Sequence, residues 1–150
     1  MATTTSEVVV YDSYKRDLQN GTIDVDTDVW IMGLATSTYT PNVATHETLA
    51  DITNEVVGNG YARQTLVSPT LTEPVAGTWQ FDSDDAVFTA SGGSIVARVY
   101  FIFDDTPTSP ADPLFCYGEL DVTPLDVTTT DTNTLTVQVN ANGYYRLSGG

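Results

Sequence analysis

The stretch Ile95–Phe103 reads IVARVYFIF and carries the clearest strand pattern in the sequence. Its odd-numbered residues are all apolar, whereas its even-numbered residues include the charged Arg98. Because side chains alternate between the two faces of a strand, this pattern predicts a strand with one wholly apolar face. We therefore expect residues 95–103 to form a central strand that has one face in the core and the other face partly covered.

A second alternating segment, Leu114–Leu120, is predicted to pair with this strand. The connection between them, residues 104–113, is dense in proline and aspartate. Buried aspartate and proline would leave backbone groups without hydrogen-bond partners, so we expect the whole connection to be a surface loop.

The C-terminal region predicts a hairpin. Residues 135–139 alternate between apolar and polar, and an Asn-Gly turn signal separates them from a second apolar segment. A two-residue turn would set Val139 opposite Arg146, whereas a three-residue loop sets it opposite Tyr145. Since the buried face decides the register, we predict the longer loop, with Gly143 in the left-handed position that forms a bulge.

Shorter patterns complete the predicted secondary structure. They are an interior strand over Val29–Leu34, a short strand or arm over Val8–Tyr11, strands around Trp79 and Val87, a helix over Ser13–Gln19 that ends at Asn20-Gly21, and a second short helix over Ala44–Ile52. Together with abundant threonine and valine, they predict a mostly β fold, an antiparallel β-sandwich or open β-barrel of about eight strands with one or two short helices. We expect residues 1–150 to form this single domain, with residues 1–7 as a flexible N-terminal arm.

The charge balance is strongly acidic, with 20 acidic residues against five basic ones and a formal net charge of −15. This charge repels phosphate backbones and attracts basic surfaces, so nucleic acid is not expected as a partner. The sequence also lacks a run of ~18 apolar residues, so no membrane interaction is expected.

Residues for common catalytic or zinc sites are scarce. The chain has one histidine, His46, and one cysteine, Cys116, whereas zinc sites use three or four ligands. A Cys116–His46–Asp51 triad can be written from the sequence, but an activated nucleophile usually lies at a strained turn or a helix start. Cys116 lies in the middle of a predicted strand on its apolar face, where an inert thiol is expected. We therefore predict no enzymatic activity and no cofactor.

The acidic run Asp24–Asp28 has the spacing with which a calcium-binding loop begins. A helix–loop–helix calcium site requires glycine at its sixth position and glutamate at its twelfth, where this chain has Val29 and Ala35, so that site is excluded. A looser calcium site remains an alternative, built either from Asp24, Asp26 and Asp28 or from Asp82, Asp84 and Asp85. The simpler interpretation is that these aspartates accept backbone hydrogen bonds in turns.

A carbohydrate-binding surface would use exposed aromatic residues, for which Trp79, Tyr144 and Tyr145 are the candidates. The strand patterns place Trp79 and Tyr145 on core faces. We therefore predict that these two side chains belong to the core.

Residues 11–61 resemble a known family. The features that carry the resemblance are YDS at 11–13, NGTIDVDTD at 20–28, ATSTYTPN at 35–42, THE at 45–47, DITNEV at 51–56 and GNGY at 58–61. In these features the chain resembles a family of small virion proteins of tailed bacteriophages, some of which look like head decoration, or cement, proteins. Trp79, the turn at 84–85, the strand residues 97–100 and the ending at 140–143 are similar as well, so that the resemblance spans residues 11–147.

The resemblance implies a non-enzymatic structural protein on the capsid surface of the virion, where it would bind the major capsid protein. Closed symmetry is the default for such subunits, so a homo-oligomer, either a dimer or a trimer, is expected. Asn42, His46 and Asp51 are predicted to organise the long loop between the Trp30 strand and the Tyr61 strand, with His46 donating to a carboxylate or a carbonyl. The alternatives are a receptor-binding or carbohydrate-binding module of the head or tail, and a small hydrolase that uses His46.

Overall fold

The computed structural model describes residues 2–4, 7–139 and 141–149. These residues form mostly β-strands, which confirms the predicted fold class. The strands are β1 (Ala2–Thr4), β2 (Val9–Val10), β3 (Trp30–Ala35), β4 (Gln64–Thr65), β5 (Thr70–Val75), β6 (Thr78–Asp82), β7 (Ala86–Thr89), β8 (Ile95–Ala97), β9 (Val99–Asp104), β10 (Leu114–Glu119), β11 (Val127–Thr129), β12 (Thr134–Gln138) and β13 (Tyr145–Ser148). The helix α1 covers Asp12–Gln19, and a single 3₁₀ turn covers Leu49–Asp51.

The central sheet has five strands in the order β2-β10-β9-β3-β4. Its middle strand, β9, pairs antiparallel with β3 and with β10, so the predicted pairing of the Leu114 segment is confirmed. β3 is the predicted interior strand, and nearly all of its residues are buried. Three smaller sheets accompany the central one, with the orders β1-β12-β7, β11-β8 and β13-β6-β5.

Two glycines let aromatic rings of β9 pack against the neighbouring strands. Gly33 in β3 lies directly opposite Phe101, and the Phe101 ring occupies the space that a Cβ atom at position 33 would need. On the other side of β9, Gly118 in β10 lies opposite Tyr100 and makes room for its ring in the same way. The absence of a side chain at both positions is therefore a packing requirement of the central sheet.

The predicted strand 95–103 is divided at Arg98, which corrects the expectation of one continuous strand. The backbone N–H of Arg98 donates to the carbonyl of Ala35 at 2.9 Å, and its carbonyl accepts the N–H of Leu120 at 2.8 Å. Before this residue β8 pairs with β11, and after it β9 pairs with β3 and β10. The chain thus passes from one sheet to another at Arg98.

Both faces of β9 are buried, whereas one face was expected to be only partly covered. The even-numbered Tyr100 and Ile102 belong to the larger core cluster, which also contains Trp30 and Phe115. The odd-numbered residues of β9 belong to a smaller cluster, into which the segment 36–52 packs Tyr39, Val43, Leu49 and Ile52. The second face is therefore covered by the loop between β3 and β4, which no alternation in the sequence could indicate.

The connection 104–113 is a surface loop in its middle, but its two ends are buried. Asp104 has no exposed surface and Pro113 is buried as well. The backbone N–H of Asp104 donates to the carbonyl of Pro113 at 3.0 Å, so the groups that the prediction expected to be unpaired satisfy each other. The expectation of a wholly exposed connection was wrong at these two residues.

The predicted C-terminal hairpin is absent from the described residues, because β12 and β13 belong to different sheets. β12 pairs with β7 and, in parallel, with β1, whereas β13 pairs with β6. Gly143 does have the left-handed backbone that was predicted, with φ of +68°. A Cβ atom there would collide with the carbonyl oxygen of Phe81, so Gly143 is needed where the chain approaches β6, and not in a hairpin bulge.

The helix α1 begins at Asp12, one residue before the predicted start at Ser13. It ends at the Asn20-Gly21 signal, as predicted, with Asn20 as its C-cap and Gly21 at φ of +79°. The second predicted helix is reduced to the 3₁₀ turn Leu49–Asp51. Of the predicted N-terminal arm, residues 2–4 form β1 beside β12, while residues 1, 5 and 6 lie outside the described residues, so the arm stays a prediction.

Candidate functional site

One face of the β13-β6-β5 sheet carries a row of apolar side chains. The register sets Leu147 opposite Trp79, and it sets both Tyr145 and Leu71 opposite Phe81. Because residues two apart in a strand share a face, these five side chains lie together on the same side of the sheet.

This row leads from the core to the surface. Phe81 is buried and Tyr145 packs against the core, but Trp79, Leu147 and Leu71 have 45%, 54% and 38% of their surface exposed. The prediction that Trp79 belongs to the core was therefore wrong. Phe81, two residues further along the same strand, does belong to the core. The physical reason is that the core packs against the end of β6 that carries Phe81, whereas the end that carries Trp79 extends beyond this contact.

A groove forms where the end of α1 and the segment after it face this row. Leu18, Ile23 and Val25 from these segments also line the groove, and the exposed residues Asp24 and Asp26, which we call its rim, complete this side. We call this feature the Trp79 groove; it has a volume of about 420 Å³, within the range of small-ligand sites. Apolar surface that remains uncovered beside a polar rim is typical of an interaction site.

The wall of the Trp79 groove is held in place by its own aspartates. Asp24 accepts the backbone N–H of Asp26 on Oδ1 at 3.1 Å, and Asp28 accepts the N–H of Asp24 on Oδ2 at 2.7 Å. The carbonyl of Asp24 accepts the N–H of Asp28 at 3.0 Å. These bonds fit the interpretation of the acidic run as a turn. Within the part of the chain that the structure describes, no three His, Cys, Asp or Glu side chains could hold a metal ion.

Tyr14 on α1 lines the inner end of the Trp79 groove and stacks edge-on against Tyr145, with 5.5 Å between the ring centroids. Its side chain is completely buried, and its hydroxyl has no hydrogen-bond partner among the described residues. A buried hydroxyl without a partner costs about 1–3 kcal/mol. The hydroxyl is itself buried, so it belongs to the core behind the Trp79 groove and not to the groove surface.

The predicted loop organisers Asn42 and His46 form one turn. The Asn42 carbonyl accepts the backbone N–H of His46 at 2.9 Å, and the Asn42 side chain accepts the N–H of Ala44 at 3.1 Å. His46 Nδ1 lies 2.9 Å from the Tyr39 hydroxyl and accepts the backbone N–H of Asn42 at 3.4 Å. His46 was expected to donate to a carboxylate or a carbonyl, but its Nδ1 instead acts as an acceptor.

A chain of hydrogen bonds connects this turn to the smaller core cluster. The Tyr39 hydroxyl lies 2.8 Å from the hydroxyl of the fully buried Tyr11. Since His46 Nδ1 accepts, the Tyr39 hydroxyl donates to it, and the Tyr11 hydroxyl can then donate to Tyr39. Burial, followed by the hydrogen bond to Tyr39, raises the pKa of Tyr11 far above its usual range, so both phenols stay protonated.

Asp51 organises a neighbouring part of the same loop. Its Oδ2 accepts the backbone N–H groups of Thr48 and Glu47 at 3.0 and 2.8 Å, and these bonds lower the pKa of the Asp51 carboxyl. Thr48 and Asp51 form a capping box on the 3₁₀ turn. The Thr-x-x-Asp pattern of this motif is visible at residues 48–51 of the sequence.

The residues of the hypothetical triad are engaged elsewhere. Cys116 is a free, completely buried thiol, and burial raises its pKa well above the usual value. His46 contacts Tyr39 and Asn42, and Asp51 caps the turn after it. No nucleophile and base of this set lie within hydrogen-bonding distance of each other among the described residues.

Sequence reasoning missed one pair of acidic residues. Asp104, buried at the end of β9, accepts the N–H of Thr106 on Oδ1 at 3.0 Å, while its Oδ2 has no N–H or O–H donor among the described residues. Burial, and next a hydrogen bond with the Asp28 carboxyl, raise the pKa of Asp104 to about 8. One proton between the two carboxyl groups satisfies the otherwise unpaired oxygen. No short-range signal in the sequence brings these two residues together.

No helix in the described ranges is long and apolar enough to cross a membrane. Comparison with protein-family models, with curated proteins and with solved structures finds no match.

Proposed function

We propose that this chain is a non-enzymatic structural protein of a tailed-bacteriophage virion, a capsid cement or decoration subunit that binds the major capsid protein. The observation that carries the proposal is the Trp79 groove, where Trp79, Leu147 and Leu71 extend the core into an uncovered apolar surface. Such a surface costs solubility unless a partner covers it. The resemblance of residues 11–147 to phage virion proteins is the reason for proposing the major capsid protein as that partner.

The physics of the chain suits attachment to a shell. A subunit that repeats over a capsid can rely on weak individual sites, because linked sites reinforce each other through effective concentration. The net charge of −15 opposes self-aggregation in solution and accelerates encounter with a basic surface. A dimer or trimer with closed symmetry would multiply the same contact.

The test is the abundance of the chain in purified virions of the phage that encodes it. Quantitative mass spectrometry should find a copy number comparable to that of the major capsid protein. Adding the purified chain to shells that lack it should raise the melting temperature of the shells. A chain that is absent from virions, or that is present in only a few copies per particle, would overturn the assignment as a cement subunit.

A carbohydrate-binding module is the second candidate, and the exposure of Trp79 favours it. The indole lines the same groove as the half-buried Tyr145 and the exposed Asp24 and Asp26, a combination that can stack on a sugar ring and accept its hydroxyls. A glycan array tests this candidate directly. Binding that is lost in Trp79→Ala would support it, and an array without signal would remove it.

A further inference from the structure

The rim of the Trp79 groove carries negative charge that no basic residue of the chain neutralises within the described ranges. The five basic residues are all engaged elsewhere: Lys15 with Asp12, Arg16 with Asp17 and Glu47, Arg63 with Glu55, Arg98 with Asp126, and Arg146 with Gln80. Asp24 and Asp26 take part in none of these pairs. They stand at the edge of an apolar groove in a chain of net charge −15.

We infer that the Trp79 groove binds an extended segment of a partner protein in which an apolar side chain stands next to a lysine or an arginine. This inference rests on the proposed function, since it describes the chemistry with which a capsid subunit would be recognised. The apolar side chain would lie on Trp79, Leu147 and Leu71. The cation would lie at the rim, between the face of the Trp79 indole and the carboxylates of Asp24 and Asp26.

Each part of this segment has a separate physical source of affinity. Removing the exposed apolar surface of Trp79 and Leu147 from water favours binding, against the cost of ordering the partner. A cation over the face of an indole is attracted by the ring even at an exposed site. The rim carboxylates add attraction that salt screens, so they affect the rate of association most strongly.

Two other occupants fit less well. A second copy of the chain would bring Asp24 and Asp26 of each subunit toward a body of charge −15, which is unfavourable. A sugar requires several hydrogen-bonding groups around it, but the floor is apolar and the wall opposite it is formed by Leu18, Ile23 and Val25. A basic, partly apolar peptide satisfies both the floor and the rim.

The experiment is calorimetric titration of the full chain with a blocked hexapeptide of alternating leucine and lysine. A second hexapeptide, with glutamine in place of lysine, measures the contribution of the cations. The lysine peptide should bind at low ionic strength and weaken as salt is added, whereas the glutamine peptide should bind at least several-fold more weakly.

Variants locate the binding. Asp24→Asn together with Asp26→Asn should weaken the lysine peptide by about three- to tenfold and reduce the salt dependence. Asparagine at position 24 can still accept the N–H of Asp26, so the turn is preserved. The matched control is Asp84→Asn together with Asp85→Asn, an exposed pair outside the groove, which makes the same change in net charge and should leave the affinity nearly unchanged.

Trp79→Ala should weaken the lysine peptide by about tenfold or more, as expected for an aromatic anchor. Leu147→Thr, an exposed strand position that tolerates threonine, provides a second test if Trp79→Ala unfolds the chain. If the rim double variant and the control double variant lose the same amount of affinity for the lysine peptide, the inference is overturned, because the loss would then reflect only the change in net charge. The inference would also be overturned if the glutamine peptide bound as tightly as the lysine peptide. It would be overturned as well if the chain did not bind the lysine peptide but bound a glycan, or associated with itself, in a way that depends on Trp79.

The inference and the proposed function fail in different ways. If the groove variants bind shells as well as the parent chain does, the inference is wrong and the cement role is untouched. If the chain is absent from virions while the groove still binds the lysine peptide, the function is wrong and the recognition chemistry stands.

Discussion

The carboxyl groups of Asp28 and Asp104 hydrogen-bond to each other at the end of the central strand β9. Asp104 is completely buried and its second oxygen has no other donor among the described residues. Two adjacent negative charges at a buried site would repel, so the folded chain retains a proton on Asp104 near neutral pH. Burial and the neighbouring carboxyl thus both favour the protonated form of Asp104 in the folded chain.

The proton on Asp104 makes folding stability depend on pH. The folded pKa is raised to about 8, whereas an aspartate in an unfolded chain titrates near ~3.9, so the folded state binds more protons between these values. The free energy of unfolding contributed by this group is complete below pH ~4 and is lost as the pH rises toward 8. Asp104→Asn removes the titration and should flatten the decline in stability between pH 5 and pH 8, measured by denaturant unfolding.

The exposed neighbour Asp105 offers a matched control. Asp105→Asn makes the same substitution at the exposed neighbouring position and should retain the decline of the parent chain. An Asp104→Asn variant whose stability depends on pH as steeply as that of the parent would show that Asp104 is not the group responsible.

Gly33→Ala should destabilise the chain, because a Cβ atom at position 33 collides with the ring of Phe101. Overpacking of a core typically costs about 1–3 kcal/mol, which denaturant unfolding can resolve. Gly149→Ala is the control, since no atom lies within 4 Å of a Cβ atom placed there. Phe101→Leu should cost less in the Gly33→Ala background than in the parent chain, and a Gly33→Ala variant as stable as the parent would contradict the packing argument.

His46→Ala should loosen the loop between β3 and β4, because it removes the acceptor for the Tyr39 hydroxyl and for the backbone N–H of Asn42. Each hydrogen bond is worth about 1 kcal/mol net, so a drop in melting temperature and faster amide exchange in residues 36–52 are expected. The double variant with His46→Ala and Tyr39→Phe should lose less stability than the sum of the losses in the two single variants, because both substitutions remove the same hydrogen bond. Unchanged melting temperature and fully additive effects would refute the role of His46 as a loop organiser.

Cys116 should be inert in the folded protein. Its thiol is completely buried and burial raises its pKa, so little thiolate forms and reagents cannot reach it. A chromogenic disulfide reagent should show no reaction under native conditions and one reactive thiol in denaturant. Rapid reaction without denaturant would place Cys116 at the surface and contradict the packing of β10.

The sequence by itself determined the features that depend on local patterns. The alternation in Leu114–Leu120 predicted a strand next to β9, and the apolar run of Val29–Leu34 predicted an interior strand. Both patterns can be recognised from residues that are adjacent in the sequence. The Asn20-Gly21 signal predicted the end of α1, since the left-handed backbone there favours glycine. Mid-strand placement on an apolar face likewise predicted the buried thiol of Cys116.

Only the tertiary structure decided which strands meet and where the core ends. Period-two alternation shows that two residues share a face, but it does not identify the sheet, so it could not reveal the break at Arg98 or the pairing of β13 with β6. Trp79 and Phe81 have the same pattern in the sequence, yet one is exposed and the other is buried. The difference arises from elements distant in sequence that cover only the inner end of β6, and these contacts create the Trp79 groove.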